Sequence, residues 1–352
     1  EGHNTNAESD PVVLLEAIAL WGVSKAVEAA IGMFAFAVFD RESRSLTLVR
    51  DRLGIKPLYW GQEGNRIVFG SEIKALHASN LLTPTRDPDA LAAFLRFSYI
   101  PAPSTIFREI KKLAPGTIMT ISADGEIKSQ SYWSASAVAQ SGQADPLSLA
   151  DPDVQRAFED LLQQVVTDRM VSDVPLGAWL SGGIDSATVV SLMQRASTEK
   201  VRTFSMGFPA FGYDESKDAA RIAAHLGTDH TDLQVTPRDA LNIISSLPNF
   251  YDEPFADSSQ IPTFILSRLT REHVTVALSG DGGDEVFGGY NRYVALPKIA
   301  RRVGSWPPAL RRTTAHALQA LSPQSWDRFA RAMPGRMPPQ FGDKMWKAAA
   351  AI

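Results

Sequence analysis

The spacing of hydrophobic and polar positions changes once along the chain. From residue 31 to 72, and again from 117 to 133, short β-type runs alternate with polar or glycine-bearing turns, a pattern typical of successive hairpins. Upstream, residues 10–22 have helical spacing, with Asp10 as the predicted N-cap and Gly22 as the predicted stop. We therefore expect an antiparallel, hairpin-built α+β region in the first part of the chain.

Later in the chain, strand-like and helix-like segments alternate. Apolar strand-like runs are found in "PLGAWLSGG", "VRTFSMGF", "HTDLQV" and "VTVALSG", and segments with helical spacing lie between them. Such alternation predicts a parallel, doubly wound α/β sheet. The expected fold class is therefore a two-domain protein that combines an α+β part with an α/β part.

Composition suggests where the two domains meet. Residues 136–152 are small, polar and punctuated by proline, so we interpret them as a linker between domains at 1–135 and 153–352. Residues 291–352 hold 11 Lys and Arg against 2 Asp and Glu. A nucleic-acid patch is one interpretation of that charge, but solvated helices are favoured because no aromatic residues alternate with the basic ones.

The overall composition excludes several classes of protein. The net charge is −4 and the pI is about 5.9, so no general basic field attracts nucleic acid. No apolar run approaches the roughly 18 residues of a membrane span, and no leader resembles a signal peptide, so we expect a cytoplasmic protein. The 352 residues include no cysteine, which excludes disulfides, thiolate metal ligands and a cysteine nucleophile within this chain.

The stretch "LSGGIDS" at 180–186 stands where a strand should give way to a helix. Paired glycines after a parallel strand can turn backbone N–H groups inward, and the next helix adds partial positive charge, which together make a phosphate cradle. A simple tight turn would explain one glycine but not Ser181, Asp185 and Ser186 beside both. Neither G-x-x-x-x-G-K-[ST] nor G-x-G-x-x-G occurs at this turn, which excludes those two phosphate loops.

A second glycine-rich loop, "LSGDGGDE" at 278–285, follows the last predicted strand. Ligands of doubly wound sheets bind beyond the carboxyl ends of the strands, so both loops should face one crevice. Asp281, Asp284 and Glu285 would repel one another unless a cation or a substrate ammonium lies among them. Carboxylates together with phosphate oxygens are typical ligands of Mg²⁺.

These motifs together resemble the glutamine-hydrolysing asparagine synthetase family. "LSGGIDS" looks like the pyrophosphate loop of ATP pyrophosphatases, and "LSGDGGDEVFGGY" and "YDEPFADSSQIPT" resemble two further segments of that family. "GMFAFAVFD", "RDRLGIKPLYWG" and "FGSEIKAL" resemble the second half of its glutaminase domain. The resemblance implies part of an N-terminal-nucleophile glutaminase αββα sandwich, followed by an ATP-pyrophosphatase domain that is incomplete at its C-terminal end.

The resemblance also implies roles for individual residues. In the first loop, the residues that match phosphate-binding positions are Ser181, Gly182, Gly183 and Ser186. The residues that match positions contacting the nucleoside of ATP are Leu180, Met206, Ser279 and Gly280. Asp185 and Asp284 match ligands of Mg²⁺, while Asp281 and Glu285 match catalytic acids near the amino-acid substrate.

Two more groups of residues match positions that contact substrates. Asp257, Ser258 and Ser259 fall in the segment that lines the substrate pocket, although a capped helix start explains the two serines equally well. Asp10 matches the aspartate that pairs with the α-amino group of glutamine. The family nucleophile is an N-terminal cysteine, and this chain begins at Glu1, so we expect it to be an internal portion of a longer parent enzyme.

The implied reaction has two coupled parts. ATP activates the β-carboxylate of aspartate as β-aspartyl-AMP with release of pyrophosphate, and ammonia from glutamine then displaces AMP to give asparagine. One alternative keeps this chemistry but uses another carboxylate, from a sugar acid, a β-lactam precursor or a peptide. A second alternative is a degenerate module that binds nucleotide without turnover. Small molecules are the expected partners, with neither nucleic acid nor membrane, and a homodimer is left open.

We expect the 352-residue chain to release no ammonia from glutamine. It has no cysteine, and no serine stands at a free N-terminus where its own amino group could activate it. The measurement is an ammonia-release assay on this chain beside the longer parent. Comparable rates in the two would contradict our interpretation of the first 135 residues.

Overall fold

The structure, a computed structural model, describes residues 9–148, 150–207, 215–332 and 341–350. Within these ranges the chain forms two compact units. The first contains the described residues up to 164 together with 234–272, and the second contains those of 165–233 and those from 273 onward. None of the described helices is long and apolar enough to cross a membrane.

The first unit contains a four-stranded antiparallel sheet in the order β1-β2-β6-β7. Its strands are β1 (Ala35–Asp40), β2 (Ser45–Arg50), β6 (Thr117–Ile121) and β7 (Ile127–Ser131). Helices α1 (Asp10–Trp21) and α2 (Val23–Ala29) precede it in the chain. Leu48 and Met119 are buried in one cluster, while Val27, Val49 and Ile118 form another. The two clusters show that apolar side chains are buried on both faces of β2.

A second antiparallel sheet in this unit has the order β4-β3-β5. Its strands are β3 (Tyr59–Glu63), β4 (Arg66–Gly70) and β5 (Ile110–Lys112). The helices that complete the unit are α3 (Ile73–Ala78), α4 (Pro88–Phe97), α5 (Ala135–Ala144), α9 (Pro237–Ile244), α10 (Leu247–Phe250) and α11 (Gln260–Thr270), and α6 (Pro152–Arg169) leads into the second unit. Ile73, Leu76 and Ile110 are buried where α3 packs on this sheet.

The second unit is built on a sheet in the order β10-β9-β8-β11. Its strands are β8 (Leu176–Trp179), β9 (Arg202–Gly207), β10 (Asp229–Gln234) and β11 (Val276–Leu278), with helices α7 (Ile184–Ala196) and α8 (Ser216–Leu226) along the connections. β8 is parallel to both of its neighbours. The strand order reverses between β8 and β11, which is the topological switch point where such sheets bind ligands.

Short helices follow the last strand of this sheet. They are α12 (Gly283–Phe287), α13 (Asn291–Val303), α14 (Pro308–Gln319), α15 (Pro323–Ala332) and α16 (Phe341–Ala350). These helices agree with the predicted helical character of the basic stretch.

The predicted fold class, which combines antiparallel and parallel sheets, is confirmed. So is the predicted hairpin at Gly125, which adopts φ +87° between β6 and β7. One local prediction is wrong, because Ser9 and not Asp10 is the N-cap of α1, and Asp10 lies in the first turn. The predicted linker contains all of helix α5 except Ala135, because Ala and Gln are good helix formers, and every residue of this helix is exposed. The predicted domain boundaries remain a prediction.

Candidate functional site

The first loop leaves β8 and turns directly into α7. The Leu180 N–H donates to the Phe204 carbonyl at 2.8 Å, so the ladder with β9 continues one residue beyond the strand. Ser186 Oγ then accepts from the Ser181 N–H at 3.1 Å, and the two hydroxyls lie 2.9 Å apart. The Gly183 N–H donates to Ser181 Oγ at 3.1 Å. The loop is therefore held in shape by its own two serines.

Helix α7 begins without a side-chain cap. Its N-cap residue is Gly183, and no side chain among the described residues caps the first turn of this helix. The N–H groups of a first helical turn lack partners within the helix and carry partial positive charge. This end of α7 can therefore bind an anion through its backbone.

The second loop leaves β11 and forms the short helix α12. The Ser279 hydroxyl donates to Asp281 Oδ2 at 3.0 Å, which folds the acid back on its own loop. Gly282 is the N-cap of α12 at φ +95°, a conformation that glycine adopts without strain. The Tyr290 hydroxyl donates to Glu285 Oε1 at 2.5 Å, so this carboxylate is oriented by a residue beyond the helix.

The two loops touch each other at glycine positions. A Cβ added to Gly280 would lie 2.6 Å from the Ser186 backbone nitrogen, which leaves no room for a side chain there. A Cβ added to Gly283 would lie 2.6 Å from Asp185 Oδ2, so the carboxylate of the first loop lies against the residue before Asp284. The sequence prediction that both loops face one crevice is consistent with this contact at the switch point.

One acid beside the first loop was missed by the sequence analysis. The Cβ of Asp218, in the first turn of α8, is 2.9 Å from where a Cβ on Gly182 would be. Asp218 forms an ion pair with Arg221, so its charge is already balanced. Its place near the loop follows from the sheet order, and no spacing in the sequence singled it out.

The acids of the two loops differ in their partners. Asp185 and Asp284 are half-buried, and within the described part of the chain neither forms an ion pair. The described residues also contain no group of three or more acidic or histidine side chains placed to hold a metal. Two carboxylates that lack a cationic partner fit a Mg²⁺ ion that takes its other ligands from phosphate oxygens and water.

The other predicted site residues lie on different elements. Met206 is half-buried on β9, in the same unit as the two loops. Asp10 and the segment with Asp257, Ser258 and Ser259 are exposed and lie in the first unit.

The interpretation of the two serines as helix caps is wrong for Ser259. Ser259 is the N-cap residue of α11, but its side chain makes no capping hydrogen bond. Instead, its N–H donates to Asp257 Oδ1 at 2.8 Å. Hydrogen bonds from the backbone and the hydroxyl of Ser259 lower the pKa of Asp257. The ionised carboxylate of Asp257 therefore fixes the turn that leads into α11.

Two family models match the chain. The model described as asparagine synthase matches residues 157–346, and the model described as glutamine amidotransferase domain matches residues 1–133. The first range contains both loops, and the second contains both antiparallel sheets of the first unit.

Named relatives agree with these matches. The glutamine-hydrolysing asparagine synthetase 1 of Bacillus subtilis is 34% identical over 83% of this chain and 45% of its own length. A putative asparagine synthetase 2 of Methanocaldococcus jannaschii is 36% identical over 79% of this chain and 55% of its own length. The chain thus spans about half the length of these curated relatives. The match to a solved glutamine-dependent NAD⁺ synthetase from Acinetobacter baumannii covers 97% of this chain and 84% of that chain, at 14% identity and a TM-score of 0.32.

Gly280→Ala should force the two loops apart. The new Cβ meets backbone atoms of Ser186 and Asp185, which cannot rotate away, and such overpacking costs about 1–3 kcal/mol. We expect the apparent melting temperature to fall by several degrees. Gly142→Ala is the matched control, because a Cβ at that helical position meets nothing within 4 Å. An equal effect of both substitutions would contradict the close approach of the loops.

Proposed function

The chain belongs to the asparagine synthase family, and on that basis we propose that the natural protein containing it makes asparagine from aspartate. In this proposal ATP activates the aspartate β-carboxylate as β-aspartyl-AMP with release of pyrophosphate, and ammonia from glutamine displaces AMP. The observation that carries the proposal is the contact of the two glycine-and-acid loops at the switch point of the parallel sheet.

ATP would bind across the two loops. Ser181, Gly182, Gly183 and Ser186 would hold the β- and γ-phosphates through the backbone at the start of α7 and the two serine hydroxyls. Support for this comes from the uncapped helix end and from the hydroxyl pair at 2.9 Å. A second set of residues would contact the nucleoside, largely through backbone atoms: Leu180, Met206, Ser279 and Gly280.

Mg²⁺ would be held by Asp185 and Asp284 when ATP is bound. The carboxylate of Asp185 already lies against the second loop, and neither acid has a cationic partner in the described chain. When bound, the ion would neutralise phosphate charge and polarise the phosphoryl oxygens. The two loops would fix the triphosphate and keep its α-phosphate in line with the attacking carboxylate.

The chemical obstacle is the approach of a carboxylate to a polyanion. At about 4 Å and an effective dielectric constant near 20, each like-charge pair costs about 4 kcal/mol. N–H donors at the start of α7 would offset that repulsion as charge moves to the leaving pyrophosphate. Asp281 and Glu285 would act near the amino-acid substrate, with Glu285 oriented by Tyr290.

The glutamine and amino-acid substrates would use other residues. Asp10 would pair with the α-amino group of glutamine, and Asp257, Ser258 and Ser259 would line the amino-acid pocket. Ammonia release would require a nucleophile that this chain does not contain. A cytoplasmic location and a homodimer remain proposals that rest on the sequence alone.

The test of the proposed function is product analysis. The natural protein, supplied with ATP, Mg²⁺, glutamine and aspartate, should give asparagine, AMP and pyrophosphate in equal amounts. If another carboxylate supports AMP release and aspartate does not, the acceptor is a sugar acid, a β-lactam precursor or a peptide. If calorimetry detects ATP binding but no pyrophosphate is released with any carboxylate, the protein is a nucleotide-binding module and the proposal is wrong.

Asp185→Asn and Asp284→Asn should each reduce pyrophosphate release by several orders of magnitude and leave the fold intact. Each substitution removes a metal ligand and therefore charge stabilisation in the transition state, but no packing from the core. Circular dichroism checks the fold, and Asp173→Asn, at an exposed position of the same unit, is the control. Near-normal release in either loop variant would contradict the assignment of that ligand.

A further inference from the structure

Glu253 lies in an ion pair that is mostly shielded from solvent. Its carboxylate contacts Lys112 Nζ on β5, and the exposed fractions of the two side chains are 14% and 15%. Glu253 Oε2 also accepts from the Ile106 N–H at 3.1 Å, and Lys112 Nζ donates to the Ile100 carbonyl at 2.5 Å. Each member of the pair therefore has a further polar partner, which a buried charge requires.

Residues on either side of Glu253 are also held by hydrogen bonds and an ion pair. The Lys74 N–H donates to Asp252 Oδ2 at 3.0 Å, and Lys74 Nζ lies 3.3 Å from Asp252 Oδ1. Lys74 Nζ also donates to the Asn249 carbonyl at 2.8 Å. Further on, the Ala256 N–H donates to the Ser98 carbonyl at 2.8 Å. The chain between Asn249 and Ala256 is therefore anchored at several points, to α3, to β5 and to the chain that follows α4.

A half-buried tyrosine lies near this pair. Tyr59 on β3 stands opposite Lys112 in the strand register. Burial raises the pKa of Tyr59 to about 12, and the nearby charge of Glu253 adds to that rise. The phenol stays neutral at physiological pH, and Glu253 is the anion that pairs with Lys112.

The anchored chain leads directly to predicted substrate-binding residues. Asp257 follows Ala256, and its carboxylate accepts the Ser259 N–H at the start of α11. Ala256 is fixed on one side of Asp257 and Ser258, and α11 begins on the other side. The backbone conformation of these two residues therefore depends on the contacts that hold residues 249–256. The contacts also join the two ranges matched by the family models, since Lys112 falls in 1–133 and Glu253 in 157–346.

We propose that Lys112 and Glu253 are positioning residues for the amino-acid substrate. Their ion pair holds residues 251–259 in the conformation that presents Asp257, Ser258 and Ser259, so it controls the affinity for aspartate and not the chemical step. The proposal rests on the proposed function for the identity of the substrate. The anchoring itself does not depend on that identity.

The kinetic test uses Glu253→Gln in the full natural protein. Removing the charge leaves Lys112 buried without its counter-ion, so the segment should detach. We expect the KM for aspartate to rise on the order of tenfold, with kcat at saturating aspartate and the KM for ATP within about twofold. Glu126→Gln is the matched control, because Glu126 pairs with Lys128 at 3.0 Å but has 58% of its side chain exposed.

Two more variants separate positioning from stability. Lys112→Met should reproduce the rise in KM, while Lys112→Arg keeps the charge and should restore most of the affinity. If these variants alter only the melting temperature, or raise the KM for ATP as much as that for aspartate, the pair serves stability and the proposal is wrong. Lys112→Arg also supplies a folded comparison should Glu253→Gln fail to fold.

Hydrogen exchange tests the anchor without reference to catalysis. In Glu253→Gln, backbone amides of residues 255–260 should exchange faster than in the natural protein, while Glu126→Gln should leave them unchanged. Unaltered exchange in Glu253→Gln would overturn the proposal. If the natural protein makes no asparagine, the proposed function fails, and faster exchange would still show that the ion pair holds the segment.

Discussion

The close approach of two backbones at the switch point of the parallel sheet is the constraint on which the candidate site depends. Gly280 packs against the backbone of Ser186, and no side chain larger than hydrogen fits between them. The approach exists because β8 and β11 are adjacent and parallel, so the loops that follow them leave the sheet at the same edge. Everything proposed for ATP and Mg²⁺ requires these loops to stay in contact.

The acids near the two loops differ in whether a neighbouring group already compensates their charge. Asp218 is balanced by Arg221, and Asp281 accepts a hydrogen bond from Ser279 within its own loop. Asp185 and Asp284 have no such cation in the described chain, and a polyanion would be repelled by them unless a metal ion binds with it. Under the proposed function, nucleotide would therefore bind together with a divalent cation and not alone.

Short-range sequence patterns predict much of the fold and of the candidate site. The hairpins, the alternation of strands and helices and both glycine-rich loops follow from periodicity and turn chemistry, because those signals lie within a few residues of each other. The N-cap of α1 was misassigned because Ser9 and Asp10 are both good caps and only the backbone distinguishes them. Asp218 and the Lys112–Glu253 pair were missed because their contacts join residues far apart in sequence, where no local pattern operates.

Residues 251–259 lie upstream of the strand that carries the second loop, in a part of the chain that belongs to the first unit. After β10 the chain passes into the first unit for residues 234–272 and returns to the second unit just before β11. On its return, the Thr275 N–H donates to the Pro175 carbonyl at 2.9 Å, which sets β11 beside β8. The strand that carries the second loop is therefore preceded by a segment whose fixed points are Lys74, Lys112 and Ser98 of the first unit. The residues assigned to the amino-acid pocket and those of the second loop assigned to ATP thus lie on one continuous stretch, and the ion pair of Glu253 anchors the upstream part of it.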